Sequence, residues 1–450
     1  MFQIETYKIG ELRKMIFIIA DDLTGASDTG VKYEKNGYRV IVETEYNCED
    51  DKFRSWLEKY DVVSINANTR LLSSEEAYRK IHDLTLQIVR LNPKYIYKKI
   101  DSLLRGNPAV ELDAVIDAMD SDIALVVPSF PENGRKLIGG VLKADGEAEI
   151  NVIKIFQDFS RYPVGNICLE DIRRDPEELS KLIEAKHRNG DKVLVFDATT
   201  DRDLEVISKA AENLPGKIIF CGSAGFAKYL CRMEKYANFL QWEAKSDDVI
   251  LVVAGSRRPE TARQLKSISE FYQTPIVTIN TALIGHDPAE EDREIERCRN
   301  KIFNLAENGH SLILFAVSSL FPEKPGKQQQ IQDSDDVCIT RALGKTVEEV
   351  YRKIRFRTVI STGGDTSFQV CKALNADGIE LHDEISAGVP IGKIVGGSAN
   401  GMTIVTKSGG FGDGDILIRI ISYLKNLSDA LSTLKIKRSE KKEKSNELQN

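Results

Sequence analysis

Four apolar runs in the first half of the chain end in residues that can do chemistry. After residues 15–20 come Asp21, Asp22, Thr24, Gly25 and Asp28, inside the stretch FIIADDLTGASDTG. After 61–65 come Asn66, Asn68, Thr69 and Arg70; after 95–100 come Asp101, Ser102, Arg105, Gly106 and Asn107. After 123–127 come Pro128, Ser129, Pro131, Asn133, Gly134 and Arg135. Carboxylates, hydroxyls, amides and guanidinium groups gathered this way suit a small, hydroxylated, anionic molecule. Arg70, Arg105 or Arg135 can clamp a carboxylate through paired N–H bonds, while acids and amides hold hydroxyls or a proton in transfer. Each residue alone has a plainer explanation. Thr24 and Asp28 fit the cap and early charge of a helix, and Asp101 with Arg105 fits a pair four apart on a helix face. For any single residue the plainer explanation is the better one; for a set repeated at four run ends, a site is.

The second half repeats the placement with different chemistry. AGSRRPETARQ (254–264) follows one apolar run, STGGDTSFQV (361–370) ends another, and TKSGGFGDGD (406–415) closes the series. Paired glycines between a strand and a helix let the backbone approach a phosphate, and the helix N-terminus adds N–H groups and positive potential. One such turn is common in α/β proteins. Two of them, with Ser256 and Arg258 at a third strand end, point to a nucleotide. No stretch matches G-x-x-x-x-G-K-[ST], and none matches G-x-G-x-x-G with an acid at the next strand's end. Neither a Walker-type loop nor a dinucleotide fold is therefore expected.

Positioning these residues requires strands that end at one edge. Short β-branched runs at 15–20, 38–43, 61–65, 95–100, 123–127, 193–196 and 217–220 alternate with helix-length amphipathic stretches. SSEEAYRKIHDLTLQIVRL and DPEELSKLIEAKHRNG show helical spacing, and the second has early acids and a late Asn-Gly stop. The alternation predicts α/β architecture with mostly parallel sheets, in which ligands bind outside the carboxyl ends of the strands. The pattern pauses over CRMEKYANFLQWEAKSDD, with a boundary near 236–248. It resumes with runs at 249–254, 275–279, 311–317, 358–362 and 402–406. With 450 residues, the expectation is two doubly wound, mostly parallel-sheet domains facing a shared cleft. The first covers 14–235 and the second 249–425. FPEKPGKQQQIQDSDD (321–336) reads as a surface loop, and 426–450 as a charged tail without fixed structure.

Composition narrows the partners. A hydrophobic share of 42% and a charged share of 29% are those of a globular protein. A net charge of −7 argues against nucleic acid, while a small anion needs only a few local cations and N–H groups. The seven cysteines form no C-x-x-C pair and the five histidines no ligand cluster. Reduced, mostly buried thiols and no zinc site are expected. No apolar run approaches the ~18 residues that span a bilayer, and MFQIETYKIGELRK lacks the apolar core of a signal peptide. The expectation is a cytoplasmic protein with no membrane partner.

Several blocks taken together resemble the four-carbon acid sugar kinase family, whose members phosphorylate threonate, erythronate or 3-oxo-tetronate at the terminal hydroxyl. They are ADDLTGASDTG, KKIDSLLRGN, VVPSFPENGRKLIGGVLKADG, CGSAGFAKYL, AGSRRPETARQL, TGGDTS, GVPIGKI and TKSGGFG, running from about residue 15 to about residue 420. The resemblance implies an N-terminal domain that holds the acid sugar and a C-terminal domain that holds ATP. Carried over by position, the sugar-acid site draws on Asp21, Asp22, Thr24, Arg70, Asp101, Ser102 and Arg105. The ATP site draws on Ser256, Gly363, Gly364, Asp365, Thr366 and Gly409, with Arg258 where the family commonly has a small hydroxyl residue. Ile100 stands where the family usually has threonine. Both departures bear on the substrate more than on the reaction type.

The implied reaction is in-line transfer of the ATP γ-phosphoryl group to the C4 hydroxyl, which asks for positioning, backbone N–H groups, cations and Mg²⁺. With no histidine in these motifs, the base that accepts the hydroxyl proton is Asp22 or Asp21, and Arg105 is the candidate for the substrate carboxylate. Closure of two domains would exclude competing water. Two alternatives compete. IIADDLTG resembles the D-x-D-x-T of haloacid-dehalogenase phosphatases and phosphomutases, but adjacent acids in extended chain point to opposite sides. A non-catalytic sugar-acid or nucleotide sensor is the other.

Overall fold

The computed structural model of the protein describes residues 15–44, 51–144, 149–231, 249–321 and 333–425. The expected boundary at 236–248, most of the 321–336 loop and the 426–450 tail lie outside the described residues. The chain packs as two compact units, and they are not contiguous in sequence. Among the described residues, those up to Asp21 and from Lys32 to 231 form one unit; Asp22–Val31 packs with those from 249 onward as the other.

In the first unit the strands are β1 (Ile16–Ala20), β2 (Val40–Glu43), β3 (Val62–Asn66), β4 (Tyr95–Lys99), β5 (Ile123–Val127), β6 (Lys136–Ile138), β7 (Val141–Lys143), β8 (Ile150–Asn151), β9 (Val164–Ile167), β10 (Val193–Phe196) and β11 (Ile218–Gly222). Its main sheet runs β2-β3-β1-β4-β11-β5-β10-β9, with parallel neighbours throughout. β6, β7 and β8 form a separate antiparallel sheet. The runs IFIIA and IALVV are buried along their whole length, as central strands covered on both faces must be. The helix Ser74–Val89 starts at a Ser73/Glu76 capping box and buries Ala77, Ile81, Leu84 and Ile88, one stripe at helical spacing. The helix Pro176–Arg188 is capped by the Asp175 side chain.

The second unit contains β12 (Ile250–Ala254), β13 (Ile276–Ile279), β14 (Leu312–Val317), β15 (Thr358–Thr362), β16 (Gly378–Ser386), β17 (Val389–Val395) and β18 (Thr403–Lys407). Its order is β13-β14-β12-β15-β18-β17-β16. The first five are parallel, and β17 runs antiparallel to both β18 and β16.

Both sheets share one device. After its first strand the chain moves two places to one side, returns to fill the gap, then crosses to the other side of the first strand: 2-3-1-4 in the first unit and 13-14-12-15 in the second. The reversal leaves a crevice at the carboxyl end of the first strand, the place where ligands bind in such sheets. Asp21 follows β1 and Ser256 follows β12, one at each reversal.

The alternation of runs and helices misses the small β6–β8 sheet, β9 and the β16–β17 hairpin. VPIGKIV carries Pro390 and Gly392 inside a strand, and IELHDEIS interleaves charge with apolar residues; both blur a β-branched signal. The expected runs at 123–127, 193–196 and 358–362 match the observed strands at both ends, and the others differ by one or two residues at an end.

Candidate active site

At the first reversal, four charged side chains alternate in sign. Asp21 Oδ2 accepts from Arg70 Nε at 2.7 Å, and an Arg70 terminal nitrogen lies 3.3 Å from Asp101 Oδ1. Asp101 in turn accepts from Arg105 Nε at 2.9 Å and from its terminal nitrogen at 2.7 Å. The Leu103 and Arg105 N–H groups also donate to Asp101 Oδ2. Burial pushes the Asp101 carboxyl up, but Arg70, Arg105 and Lys99 outweigh it and hold the group well below the usual carboxylate range. Asp101 and Arg105 are thus a true pair, though they sit in the loop after β4 and not on a helix face. Ser102 is buried beside them.

Beneath this row lies an ion pair. Lys98 Nζ and Glu111 Oε2 are 2.7 Å apart with both side chains almost wholly buried. Lys98 also bonds to the Lys99 carbonyl at 2.9 Å. Burial raises the Glu111 carboxyl, Lys98 opposes that, and nearby Asp21 adds to it. Asp21 Oδ1 and Asn66 Nδ2 are buried with no partner among the described residues. Buried polar atoms in a native fold are normally paired, so these two are suited to a polar ligand's hydroxyl groups. Arg135 bonds to the Asn133 carbonyl and lies in the Phe130–Arg135 bridge.

Asp22 has partners of its own. Its Oδ1 accepts the Gly25 N–H and its Oδ2 the Thr24 hydroxyl, both at 2.7 Å. Asp22, rather than Thr24, is therefore the N-cap of the helix Leu23–Glu34, and Asp28 lies a turn further on. Within the second unit, Asp22 and Thr24 pack against Gly364. A Cβ on Gly364 would stand 3.0 Å from Asp22 Cγ and 3.1 Å from Thr24 Oγ1, and closer still to Asp22 Oδ2. Gly364 opens the helix Gly364–Ala373, whose N-cap residue, Gly363, has no side chain to cap it with. Asp365 and Thr366 complete that first turn, with Gly363 as the residue before it.

The remaining residues expected at the nucleotide converge on the same turn. A Cβ on Gly409 would stand 2.6 Å from Ser256 Cβ and 3.5 Å from Arg258 Cγ, so only glycine admits this approach. The Arg258 N–H faces Ser256 Oγ at 3.4 Å, and Thr366 packs against Gly255. Thr362 Oγ1 is buried without a partner among the described residues. Arg257, next in the same motif, pairs with Asp336.

Three groups here were not anticipated. Lys407 is fully buried at the end of β18 and bonds to loop carbonyls, with Thr261 and Gln264 holding the same loop from the helix Pro259–Tyr272. Lys98 and Glu111 form the buried pair described above. The available signal was a lysine closing an apolar run, as in YIYKK and TIVTK, since lysine is almost never buried without a partner. Of the six described cysteines none is in a disulfide, and Cys221, Cys231, Cys298 and Cys371 are buried. No helix among the described residues is long and apolar enough to cross a membrane.

Comparison with known proteins agrees with the two kinds of chemistry. Residues 16–230 match a sugar-binding N-terminal domain and residues 251–417 a nucleotide-binding C-terminal domain. A chain with those two parts is a carbohydrate kinase. A D-threonate kinase of Bordetella bronchiseptica is 30% identical, the match covering 90% of this chain and 96% of that protein. A D-erythronate kinase of Heliobacterium modesticaldum is 29% identical over 91% and 97%. The chain belongs to the four-carbon acid sugar kinase family. A crystal structure of a Haemophilus influenzae protein shares the fold, with TM-score 0.63 and 20% identity over 91% of this chain and 100% of that one.

Two outcomes follow from the buried lysines. Lys98→Met leaves the Glu111 carboxylate without its cation, so chemical denaturation should show a loss of about 3–5 kcal/mol; an unchanged midpoint would contradict the pairing. Lys407 is lowered to about 7 by burial, with Glu260 opposing. Between pH 7 and 10 the unfolded chain then holds this proton more firmly than the folded one. The stability that depends on this group therefore rises with pH across that window and is lost as pH falls through 7. Unfolding free energies at pH 7 and pH 9 should rise more in the wild type than in Lys407→Met, and the reverse order would refute the lowered pKa.

Proposed function

We propose that this kinase transfers the γ-phosphoryl group of ATP to the terminal C4 hydroxyl of a four-carbon sugar acid such as threonate, erythronate or 3-oxo-tetronate. The single observation that carries the proposal is the Asp22 carboxylate packed against Gly364, at the first turn of the helix Gly364–Ala373. A candidate base and a turn suited to phosphate occur there in contact. The names of the relatives, D-threonate and D-erythronate kinase, support the substrate class.

In this assignment the first unit, expected over 14–235 but without Asp22–Val31, is the sugar-acid domain, and the second, expected over 249–425 and joined by Asp22–Val31, is the nucleotide domain. Arg105 meets the substrate carboxylate, oriented by its two bonds to Asp101. It is the more exposed guanidinium of the row, at 45% against 14% for Arg70. Arg70 ties Asp21 to Asp101, while Asp21 and Ser102 offer an acceptor and a hydroxyl to the sugar. Asp22 accepts the C4 hydroxyl proton as the new P–O bond forms. Ser256, Arg258, Gly363, Gly364, Asp365, Thr366 and Gly409 surround the phosphates with backbone N–H groups, hydroxyls and one cation. No three acidic, histidine or cysteine side chains converge as a metal site among the described residues. Mg²⁺ would arrive with the nucleotide and need only one or two carboxylates of the protein. Mg²⁺ bound in this way supplies charge neutralisation of the phosphates.

Asp22→Asn keeps the helix cap, because asparagine caps as well as aspartate, and removes only the charge and basicity. With Mg-ATP and a panel of four-carbon acids, the wild type should release ADP with at least one of them. The variant's kcat should fall by about 10²–10⁴-fold, with its ADP affinity within about threefold of wild type. Near-normal turnover would remove Asp22 as the base. ADP release with none of the acids would remove the substrate class.

A further inference from the structure

Lys407 closes β18 with its side chain fully buried. Its Nζ donates to the carbonyls of Ser408 at 2.8 Å, Phe411 at 3.1 Å and Gly409 at 3.5 Å. Three oxygens of one short turn thus point at one amine. In a planar trans peptide the C=O and the following N–H point in opposite directions, and the described chain has no cis bond. The N–H groups of Gly409, Gly410 and Gly412 therefore face away from the lysine, and none donates to another described residue. Thr261 Oγ1 holds the Gly409 carbonyl, and Gln264 Nε2 holds those of Phe411 and Gly412. The turn has its acceptors pulled inward and its donors turned out, which is how successive backbone N–H groups receive an anion.

We propose that Lys407 is a positioning residue for the nucleotide: it fixes the 408–412 turn so that the N–H groups of Gly409, Gly410 and Gly412 meet the ATP phosphates. This rests on the kinase assignment above. Lys407 does not itself contact phosphate, because its donors are occupied by carbonyls behind the turn. A neutral lysine still carries two N–H donors, so the turn keeps partners on either side of the group's titration. Ser256 and Arg258, packed against Gly409, lie beside the same turn.

Calorimetric titration of the full chain with ADP and with adenosine tests the proposal. Lys407→Met should weaken ADP binding at least tenfold and leave adenosine within twofold, since adenosine has no phosphate for the turn to receive. Lys407→Gln, a neutral donor, should lie between methionine and wild type, and it carries the same comparison if the methionine variant fails to fold. ADP binding at wild-type strength in either variant overturns the proposal. So does an equal loss for ADP and adenosine, which is the signature of general loosening. A wild type that binds neither ligand overturns the kinase assignment and this proposal together.

Discussion

At Gly364 a helix begins so close to the Asp22 carboxylate that a single methyl group would not fit. Asp22 cannot swing aside, because both its oxygens are engaged by the start of its own helix. The chemistry assigned to this chain depends on that approach. It sets a negatively charged acceptor at the positive end of a helix, where the macrodipole favours negative charge, and beside a backbone turn able to receive phosphate. A second approach of the same kind, Ser256 against Gly409, brings the turn after β12 and the turn after β18 together around β15. Replacing either glycine would separate elements that act as one.

The first unit solves a different problem, the burial of charge. Asp21, Arg70, Asp101 and Arg105 alternate in sign, so each carboxylate has a guanidinium neighbour. The low Asp101 pKa expresses that compensation. Lys98 and Glu111 repeat it one layer down, where water cannot help. Such networks add little net stability; what they supply is position. Arg105 is held by two side-chain bonds before any ligand arrives, which reduces the ordering cost of binding one.

Much of this was legible in the sequence and some was not. The strand ends could be read because β-branched runs stop sharply at polar residues, and the expected residues gather in two clusters: Asp21 with Arg70, Asp101 and Arg105, and Ser256 with Gly409 and Arg258. Asp22 joining the second half could not be read, since a linear pattern assigns residues 22–31 to the domain that surrounds them. The β16–β17 hairpin escaped because Pro390, Gly392 and interleaved charges mask its strands. Lys407, Lys98 and Glu111 escaped for another reason. A charged residue in sequence reads as surface, and only the fold shows carbonyls or an opposite charge waiting for it.

The most direct test of the central claim is the structure of the product. After incubation of the protein with Mg-ATP and the four-carbon acid that it turns over, proton–phosphorus correlation NMR locates the new ester. The kinase assignment predicts a phosphomonoester on the terminal C4 oxygen, formed in step with ADP. An ester at another oxygen, or inorganic phosphate alone, would contradict it.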